Sequence, residues 1–469
     1  MRAIPLLALG LLLSSLVAGC VGNSTPAATA DPSSVSPFPA ANTGPDGEFV
    51  PHVVVGVLDT GAIPYHEQFR QTSQPELAFE HPSSYLSGYP ADTPALPLTL
   101  ELRDNEGRLN TTSADYLKAD EKLWESAKDR TLHWLPGTRF VGSIGFTTPL
   151  PGGGHGSMTA GRTGALNVSI NDGRVLMVAV TAPLALNLAV GEDEQAEATR
   201  WMADQPFIDI QSHSWGMPFT CAGIATTQIY GWAEAFKYAR EKQLVFVAAG
   251  NGAGNTGITP GYPSQCQDNS GIAGVVTVGA NDNDGTTTWG NFFPAVSGDG
   301  CGNPSVNEAT TNELDNSGGG TSSATPFTAG GAASLLLEAR RIFRDPNVGV
   351  RDGVMARAQP GAILPEQGPL ADGIFTMDEL KSVLFHTALS PPTLDESDGE
   401  QCMVGTRVPT DPESPLAPGL FPFIGYGEVN RISIALGIEV LQGVKAEPER
   451  AREDQLYQQD QDARRAFWG

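Results

Sequence analysis

Apolar runs recur along the chain, and stretches with helical patterning lie between or after several of them. The runs cover residues 53–58, 175–180, 207–210, 244–249 and 275–278. Runs of this length are typical of strands that are buried on both faces of a parallel sheet. The helical stretches cover residues 196–203, 226–240 and 332–342. This alternation of strands and helices predicts an α/β fold with a central, mainly parallel sheet.

One large domain, residues 51–441, accounts for these elements. Two segments of different texture interrupt it: residues 70–140 are polar and punctuated by proline, and residues 345–375 are predicted to be loop-like. The tail, 442–469, is strongly charged, and we expect a solvated helix or disorder there. Residues 21–50 are rich in Pro, Ser, Thr, Ala, Asn and Gly, which predicts a flexible tether before the domain.

The N-terminus has the pattern of an export signal over residues 1–20. Arg2 gives a short positive region, and residues 4–13 give an apolar stretch too short to span a membrane comfortably. The following Val17-Ala18-Gly19-Cys20 resembles the lipobox of prokaryotic lipoproteins, in which the cysteine is acylated. We therefore expect a protein outside the cytoplasm, at the cell surface or in the periplasm, held at the membrane by a lipid on Cys20. Ordinary secretory cleavage near Cys20 is the alternative.

Charge and cysteine content narrow the possible partners. The chain has 53 acidic and 28 basic residues and a formal net charge of −25, which argues against nucleic acid because phosphate binding needs clustered Lys and Arg. Apart from Cys20, four cysteines remain, which in an exported protein fits two disulfides. Their pairing stays open, and we prefer Cys221–Cys266 with Cys301–Cys402.

Four short motifs place a reactive side chain at a strand end, in a glycine-rich turn or before a helix. Asp59 directly follows the first apolar run, His155 lies among glycines, Asn251 follows Ala248-Ala249-Gly250, and Ser322 precedes a helix of small residues. Taken singly, the Asp59 motif could be a strand-end turn, the His155 motif a glycine-rich loop and Ser322 a helix cap. Together they supply the nucleophile, the base, the orienting carboxylate and the oxyanion donor that peptide hydrolysis needs.

A competing glycine motif is rejected. Residues 252–257 match the dinucleotide-binding pattern G-x-G-x-x-G. The residues that follow, 258–263, include Pro260 and Pro263 and cannot form the helix that this pattern requires. We therefore expect no nucleotide cofactor here.

The motifs resemble those of the subtilisin-like serine peptidases, the subtilases of peptidase family S8. The matching blocks are Val57-Leu58-Asp59-Thr60-Gly61 with the later His66, His155-Gly156-Ser157 with Ala160-Gly161, and Gly320-Thr321-Ser322 with Ala324 and Pro326. The order Asp, His, Ser is also that family's. Over residues 51–441 the resemblance implies a three-layer subtilisin-like fold and a serine endopeptidase with Asp59, His155 and Ser322 as its catalytic triad.

The resemblance also implies where substrate binds. Asn251 would donate to the oxyanion, and the substrate would lie along Ser214, Trp215, Gly216, Ala248, Ala249 and Gly250. Gly261 would form the floor of the first specificity pocket, so a large apolar residue is expected before the cleaved bond. Substrates would be proteins or peptides. The chemistry would need no metal or other cofactor, although family members often bind structural Ca²⁺, and residues 281–285 could form such a site or a surface turn.

Some features depart from the family and leave other readings open. The 70–140 insertion could cover the cleft, shape specificity or bind a metal, and residues 21–50 are too few for a folded pro-domain. Phe327 stands where the family often has histidine, which we interpret as packing. The rival functions are a peptide-binding scaffold with a silent site, a serine-carboxyl peptidase, which His155 argues against, and a lipid esterase, which lacks support because no G-x-S-x-G surrounds Ser322.

Overall fold

The structure is a computed structural model that describes the chain in segments. The described residues are 49, 51–62, 67–70, 77–96, 130–146, 154–164, 170, 173–182, 192–215, 230–251, 272–281, 287–289, 294–300, 305–306, 314–315, 319–346, 350–390, 406–407 and 424–468. All of them belong to one unit, Phe38–Gly469.

The strands, in chain order, are β1 (Val53–Asp59), β2 (Phe140–Gly145), β3 (Val175–Thr181), β4 (Ile210–His213), β5 (Leu244–Ala248), β6 (Val276–Asn281), β7 (Thr287–Trp289), β8 (Val296–Asp299), β9 (Ser305–Val306), β10 (Leu314–Asp315), β11 (Val354–Arg357), β12 (Ile374–Thr376), β13 (Thr406–Arg407) and β14 (Glu428–Val429). The main sheet has the order β13-β7-β6-β5-β4-β1-β3-β2, and β8 joins it by pairing with β6 and β14. Of its strands in the described segments, only β7 and β13 pair antiparallel. β1 lies between β3 and β4, and the chain builds the sheet outward on both sides of it. The carboxyl end of β1 therefore lies at a topological switch point, where such folds bind ligands.

Seven helices flank the sheet in the described residues: α1 (Gly154–Gly164), α2 (Glu192–Asp204), α3 (Tyr230–Arg240), α4 (Thr321–Phe343), α5 (Met377–Thr387), α6 (Arg431–Leu441) and α7 (Ala451–Trp468). Three short 3-10 turns, Glu67–Arg70, Leu77–Phe79 and Pro82–Ser84, precede β2. Successive residues of β1 bury opposite faces: Val55 and Val57 pack in the core that contains α4, and Val54 and Leu58 pack in the core that contains α2 and α3. The predicted three-layer α/β fold is confirmed.

The predicted strand at 207–210 is displaced, because β4 begins only at Ile210. Its last three residues are polar and fully buried. The Nε2 of Gln211 donates to Gln243 Oε1 at 2.5 Å, and the Oε1 of Gln211 bonds to His213 Nε2 at 2.9 Å. These side-chain bonds pair the buried amide of Gln211 and the Nε2 of His213, whereas the Ser212 hydroxyl and the His213 Nδ1 have no partner among the described residues, and a central strand forms here without an apolar run.

Two segments with little hydrophobic periodicity contain regular secondary structure. Residues 345–375 contain the antiparallel pair of β11 and β12 rather than a plain loop. The charged tail contains α7, whose half-buried Tyr457 packs against Phe385 with 5.3 Å between ring centroids. On the same helix Arg464 and Asp460 form a buried ion pair at 2.6 Å. The tail is therefore a helix with one packed face, not a helix solvated on all sides.

A buried ion pair fixes the far end of α4. Arg340 donates to both carboxylate oxygens of Asp209, at 2.7 and 3.1 Å, and to the carbonyl of His52 at 2.8 Å. His52 and Asp209 directly precede β1 and β4, so this contact lies at the amino ends of those strands. The N-terminus of α4 is thereby left at the carboxyl edge of the sheet, where β1 also ends.

Candidate active site

Asp59 and His155 form a closely bonded pair at this edge. Asp59 is the last residue of β1 and is almost fully buried, and His155 is the second residue of α1. The Nδ1 of His155 lies 2.8 Å from Asp59 Oδ1 and 3.0 Å from Oδ2. Because an ionised carboxylate only accepts, Nδ1 must carry the proton, which leaves Nε2 as the acceptor of the neutral ring.

Two threonines hold the Asp59 carboxylate in place. The backbone N–H of Thr60 donates to Oδ1 at 2.7 Å, and the hydroxyl of Thr159, one turn after His155, donates to Oδ2 at 3.3 Å. The Thr60 hydroxyl also accepts from the Gly156 N–H at 3.0 Å. Nothing in the motifs marks these threonines as functional, although the i,i+4 spacing of His155 and Thr159 places those two residues on one face of a helix.

The environment of His155 shifts its acid–base behaviour. Burial lowers the pKa of His155, but the hydrogen bond and the negative charge of Asp59 outweigh this effect, and the net pKa lies above the ordinary value. The side chain remains 39% exposed, so solvent and substrate can reach the ring. The pair therefore combines a fixed ring orientation with an accessible Nε2.

Ser322 begins the helix that fills the neighbouring layer. It is the second residue of α4, two residues after the N-cap Gly320, whose φ of 78° is a conformation that favours glycine. The positive end of the helix dipole lies at this residue, and the neighbouring N–H groups are bonded, that of Thr321 to Asn251 and those of Ser323 and Ala324 to the carbonyl of Gly320. The Ser322 hydroxyl donates to the carbonyl of Ser214 at 3.1 Å. In the described part of the chain no hydrogen bond joins Ser322 to His155, although α1 and α4 pack against each other.

Asn251 lies beside the same helix end. Its Oδ1 accepts from the backbone N–H of Thr321 at 2.9 Å and from the Thr321 hydroxyl at 2.8 Å. With both donors on the oxygen, the Nδ2 group is directed away from the helix backbone, and the residue is exposed. Asn251 can therefore offer N–H groups next to Ser322. Before it, Gly250 has a φ of 86°, while Ala248 and Ala249 are buried at the end of β5.

The two described residues after β4, Ser214 and Trp215, are buried. Trp215 is almost fully buried and packs against His213 and Phe236, with 5.8 and 6.0 Å between ring centroids. Burial lowers the pKa of His213 to about 3, so its ring is neutral. A role for Trp215 at a substrate subsite stays a prediction, and Ser214 is the residue of this segment that contacts Ser322.

The sequence profile of the subtilase family matches residues 51–400, about three quarters of the chain. This chain belongs to the subtilase family. As a subtilase it is a serine-type endopeptidase that acts on proteins or peptides. No curated protein is significantly similar to it in sequence.

Two solved subtilase-like structures resemble the fold remotely. The prenylagaramide maturation protease PagA is 15% identical and aligns over 83% of this chain and 94% of its own, with a TM-score of 0.40. A cold-adapted subtilisin-like serine proteinase is 17% identical and aligns over 62% of this chain and 77% of its own, with a TM-score of 0.34. The family assignment depends on the sequence profile and not on these likenesses.

Several predicted residues lie outside the described segments. They are Gly216, Gly261, His66, the lipobox residue Cys20 and the other four cysteines. Of the oxygen-rich stretch 281–285, only Asn281 is described. Among the described residues, no cluster of His, Cys, Asp and Glu side chains suits a metal ion. The described helices include none that is long and apolar enough to cross a membrane.

Proposed function

We propose that this subtilase cleaves peptide bonds through a triad of Asp59, His155 and Ser322. The observation that carries the proposal is the bonded pair of Asp59 and His155, which fixes the histidine tautomer with Nε2 free to accept a proton. Ser322 stands at the start of the helix packed against the one that carries His155. These are the parts that acyl transfer from a serine requires.

The proposed reaction begins when Ser322 Oγ attacks the scissile carbonyl carbon and gives its proton to Nε2 of His155. Asp59 stabilises the imidazolium through the bonds to Nδ1. His155 then protonates the leaving amine, and the acyl group stays on Oγ. Water attacks the ester in the second half, with Nε2 again as base, and the carboxylic acid product leaves.

In the resting arrangement the Ser322 hydroxyl bonds to the Ser214 carbonyl at 3.1 Å, so it must rotate towards His155 before attack. Catalytic hydrogen bonds are commonly formed only once the substrate is bound. An extended substrate that pairs with the backbone at residues 214–216 would compete for the Ser214 region and favour this rotation. Gly261, as the floor of the first pocket, would favour a large apolar residue before the cleaved bond.

The oxyanion would form between the Ser322 backbone N–H and the Asn251 side chain. The support for Asn251 is its amide orientation, since the Oδ1 is engaged by Thr321 and the Nδ2 group is left for a ligand. Preorganised donors of this kind stabilise the charge that develops in the transition state. The chemistry as proposed needs no cofactor, and a structural Ca²⁺ would act on stability.

We further propose export and acylation at Cys20, with the tether 21–50 separating the enzyme from the membrane. The support is the Val17-Ala18-Gly19-Cys20 pattern. A Cys20→Ser variant expressed in a bacterial host should move from the membrane fraction to the soluble fraction. Retention of Cys20→Ser in the membrane fraction would contradict the anchor.

The test of the triad is cleavage of an unfolded protein substrate by the purified full-length chain. Wild type should produce new N-termini, and Ser322→Ala should produce them about 10⁶-fold more slowly, because only substrate binding and the oxyanion donors remain. The conservative Ser323→Ala at the next position is the matched control and should retain cleavage. Equal cleavage by wild type and Ser322→Ala would refute the proposal, and a folded wild type without any cleavage would favour the silent scaffold.

A further inference from the structure

A fully buried arginine lies between the helix that carries His155 and the helix that carries Ser322. Arg162 is on α1, two turns after His155, and its side chain has no exposed surface. One guanidinium nitrogen donates to the carbonyl of Asp299 at 2.5 Å and lies 3.5 Å from a carboxylate oxygen of the same residue. Burial of a guanidinium in a core is costly unless it is paired, so this contact is a built feature of the site.

The same guanidinium also touches the serine helix. Its central carbon lies 5.4 Å from the ring centroid of Phe327, which is on α4, five residues after Ser322. A cation over an aromatic face within about 6 Å is attracted by the ring, and more strongly when both are desolvated. The sequence predicts only a packing role for Phe327, and the structure adds that the Arg162 guanidinium lies over the face of its ring.

The contact with Asp299 leads to the start of the serine helix. Asp299 ends β8, and the next residue, Gly300, accepts from the backbone N–H of Gly320 at 2.9 Å. Gly320 is the N-cap of α4 and stands two residues before Ser322. Arg162 is therefore bound to the strand end that holds the helix N-terminus, and also to the first turns of the helix itself.

We propose that Arg162 is a positioning residue that sets the placement of His155 relative to Ser322. It joins α1 to α4 by two routes, through Asp299 and Gly300 to the helix cap and through the ring of Phe327 to the helix body. Arg162 touches no reacting atom. The inference rests on the proposed triad. It names the residue that holds His155 and Ser322 at a fixed separation, because no hydrogen bond joins these two side chains among the described residues.

The experiment measures how fast a fluorophosphonate labels the serine of the full-length chain. Arg162→Lys keeps the charge but is too short to keep both contacts, and Arg340→Lys makes the same change at a fully buried arginine of α4, far from the site. We expect Arg162→Lys to lower the labelling rate constant by about 10- to 100-fold, because a displacement near 1 Å can cost about 100-fold. Arg340→Lys should lower the melting temperature but keep the wild-type rate constant in the folded fraction.

Two further readouts separate positioning from plain stability. In peptide hydrolysis, Arg162→Lys should lower kcat while KM stays within about three-fold, since the loss is in the transition state. The milder Phe327→Leu should slow labelling by a few-fold, and Arg162→Lys should cost less in that background than alone, because the two residues share one contact. Phe327→Leu keeps the test valid if Arg162→Lys folds poorly.

A folded Arg162→Lys that labels at the rate of wild type, or no more slowly than Arg340→Lys, would overturn the inference while leaving the triad intact. A wild type that is not labelled at Ser322 would overturn the proposed function, and the positioning role with it. Slow labelling of Arg162→Lys with full stoichiometry is the expected result.

Discussion

Replacing Asp59 by Asn should disable the enzyme through the histidine tautomer, not through misfolding. The backbone N–H of Thr60 donates to Oδ1 at 2.7 Å, so the amide oxygen of the new side chain must take the Oδ1 position. The NH₂ group then takes the Oδ2 position, which lies 3.0 Å from His155 Nδ1 and 3.3 Å from the Thr159 hydroxyl. The amide oxygen at the Oδ1 position, 2.8 Å from Nδ1, competes with this NH₂ donor for the ring, and in every molecule where the donor wins, the proton moves to Nε2 and blocks acceptance from Ser322.

The size of the loss follows from this change of role. A base that holds its proton on the wrong nitrogen costs about 10⁴-fold in kcat where this change has been made in a serine-peptidase triad. Such a loss corresponds to about 5.5 kcal/mol of transition-state stabilisation. Because Asp59 also raises the pKa of His155, the acid limb of the residual activity should move to lower pH. Peptide hydrolysis measured as a function of pH gives both quantities.

Asp209→Asn is the matched control, because it makes the same change at another fully buried aspartate. That carboxylate pairs with Arg340 at the amino ends of the strands, far from the reacting groups. It should lower the melting temperature and leave kcat near wild type. If Asp59→Asn kept activity within ten-fold of wild type with an unmoved acid limb, the assignment of the base and its orienting group would be wrong.

Two further predictions concern the oxyanion and the tail. Asn251→Ala should lower kcat by about 100- to 1,000-fold with little change in KM, as loss of an oxyanion donor does. A rise in KM as large as the fall in kcat would contradict this and would point to a role in holding Thr321 only. His386→Gln should destabilise the fold by about 1 kcal/mol at pH 6 and much less at pH 9. The hydrogen bond to Glu447, opposed by partial burial and aided by Asp454, raises the pKa of His386. The stabilisation by the charged ring is therefore complete below about pH 6.5 and is lost as the pH rises through the raised pKa. Thermal melts that show the same deficit at both pH values would contradict the second prediction.

Much of the fold could be predicted because its strands are buried on both faces. The run at 53–58 marks β1 within one residue, and the runs at 175–180 and 244–249 mark β3 and β5 equally well. The failure at β4 has a physical cause. Gln211 and His213 are buried and bond to each other, and Gln211 also donates to the carbonyl of Thr199, so hydropathy records no signal for such a strand.

The reactive residues of the site could be predicted from the sequence, but the residues that hold them in position could not. Asp59, His155 and Ser322 lie in short glycine-rich motifs that sequence alone makes visible. Arg162 does not, because a lone arginine in a helix is normally an exposed residue, and only the fold brings it against Asp299 and under Phe327. The tail was equally hidden, since the charged residues of α7 include a buried pair formed within the helix itself.

The most direct test of the central claim is to map the site of fluorophosphonate labelling by mass spectrometry. The full-length wild type should carry a single adduct on Ser322 across about pH 5 to 8, with a rate that rises as His155 loses its proton. Ser322→Ala should remain unlabelled, and His155→Gln should be labelled far more slowly. An adduct on another residue, or a folded wild type that takes up no label over this range, would contradict the account.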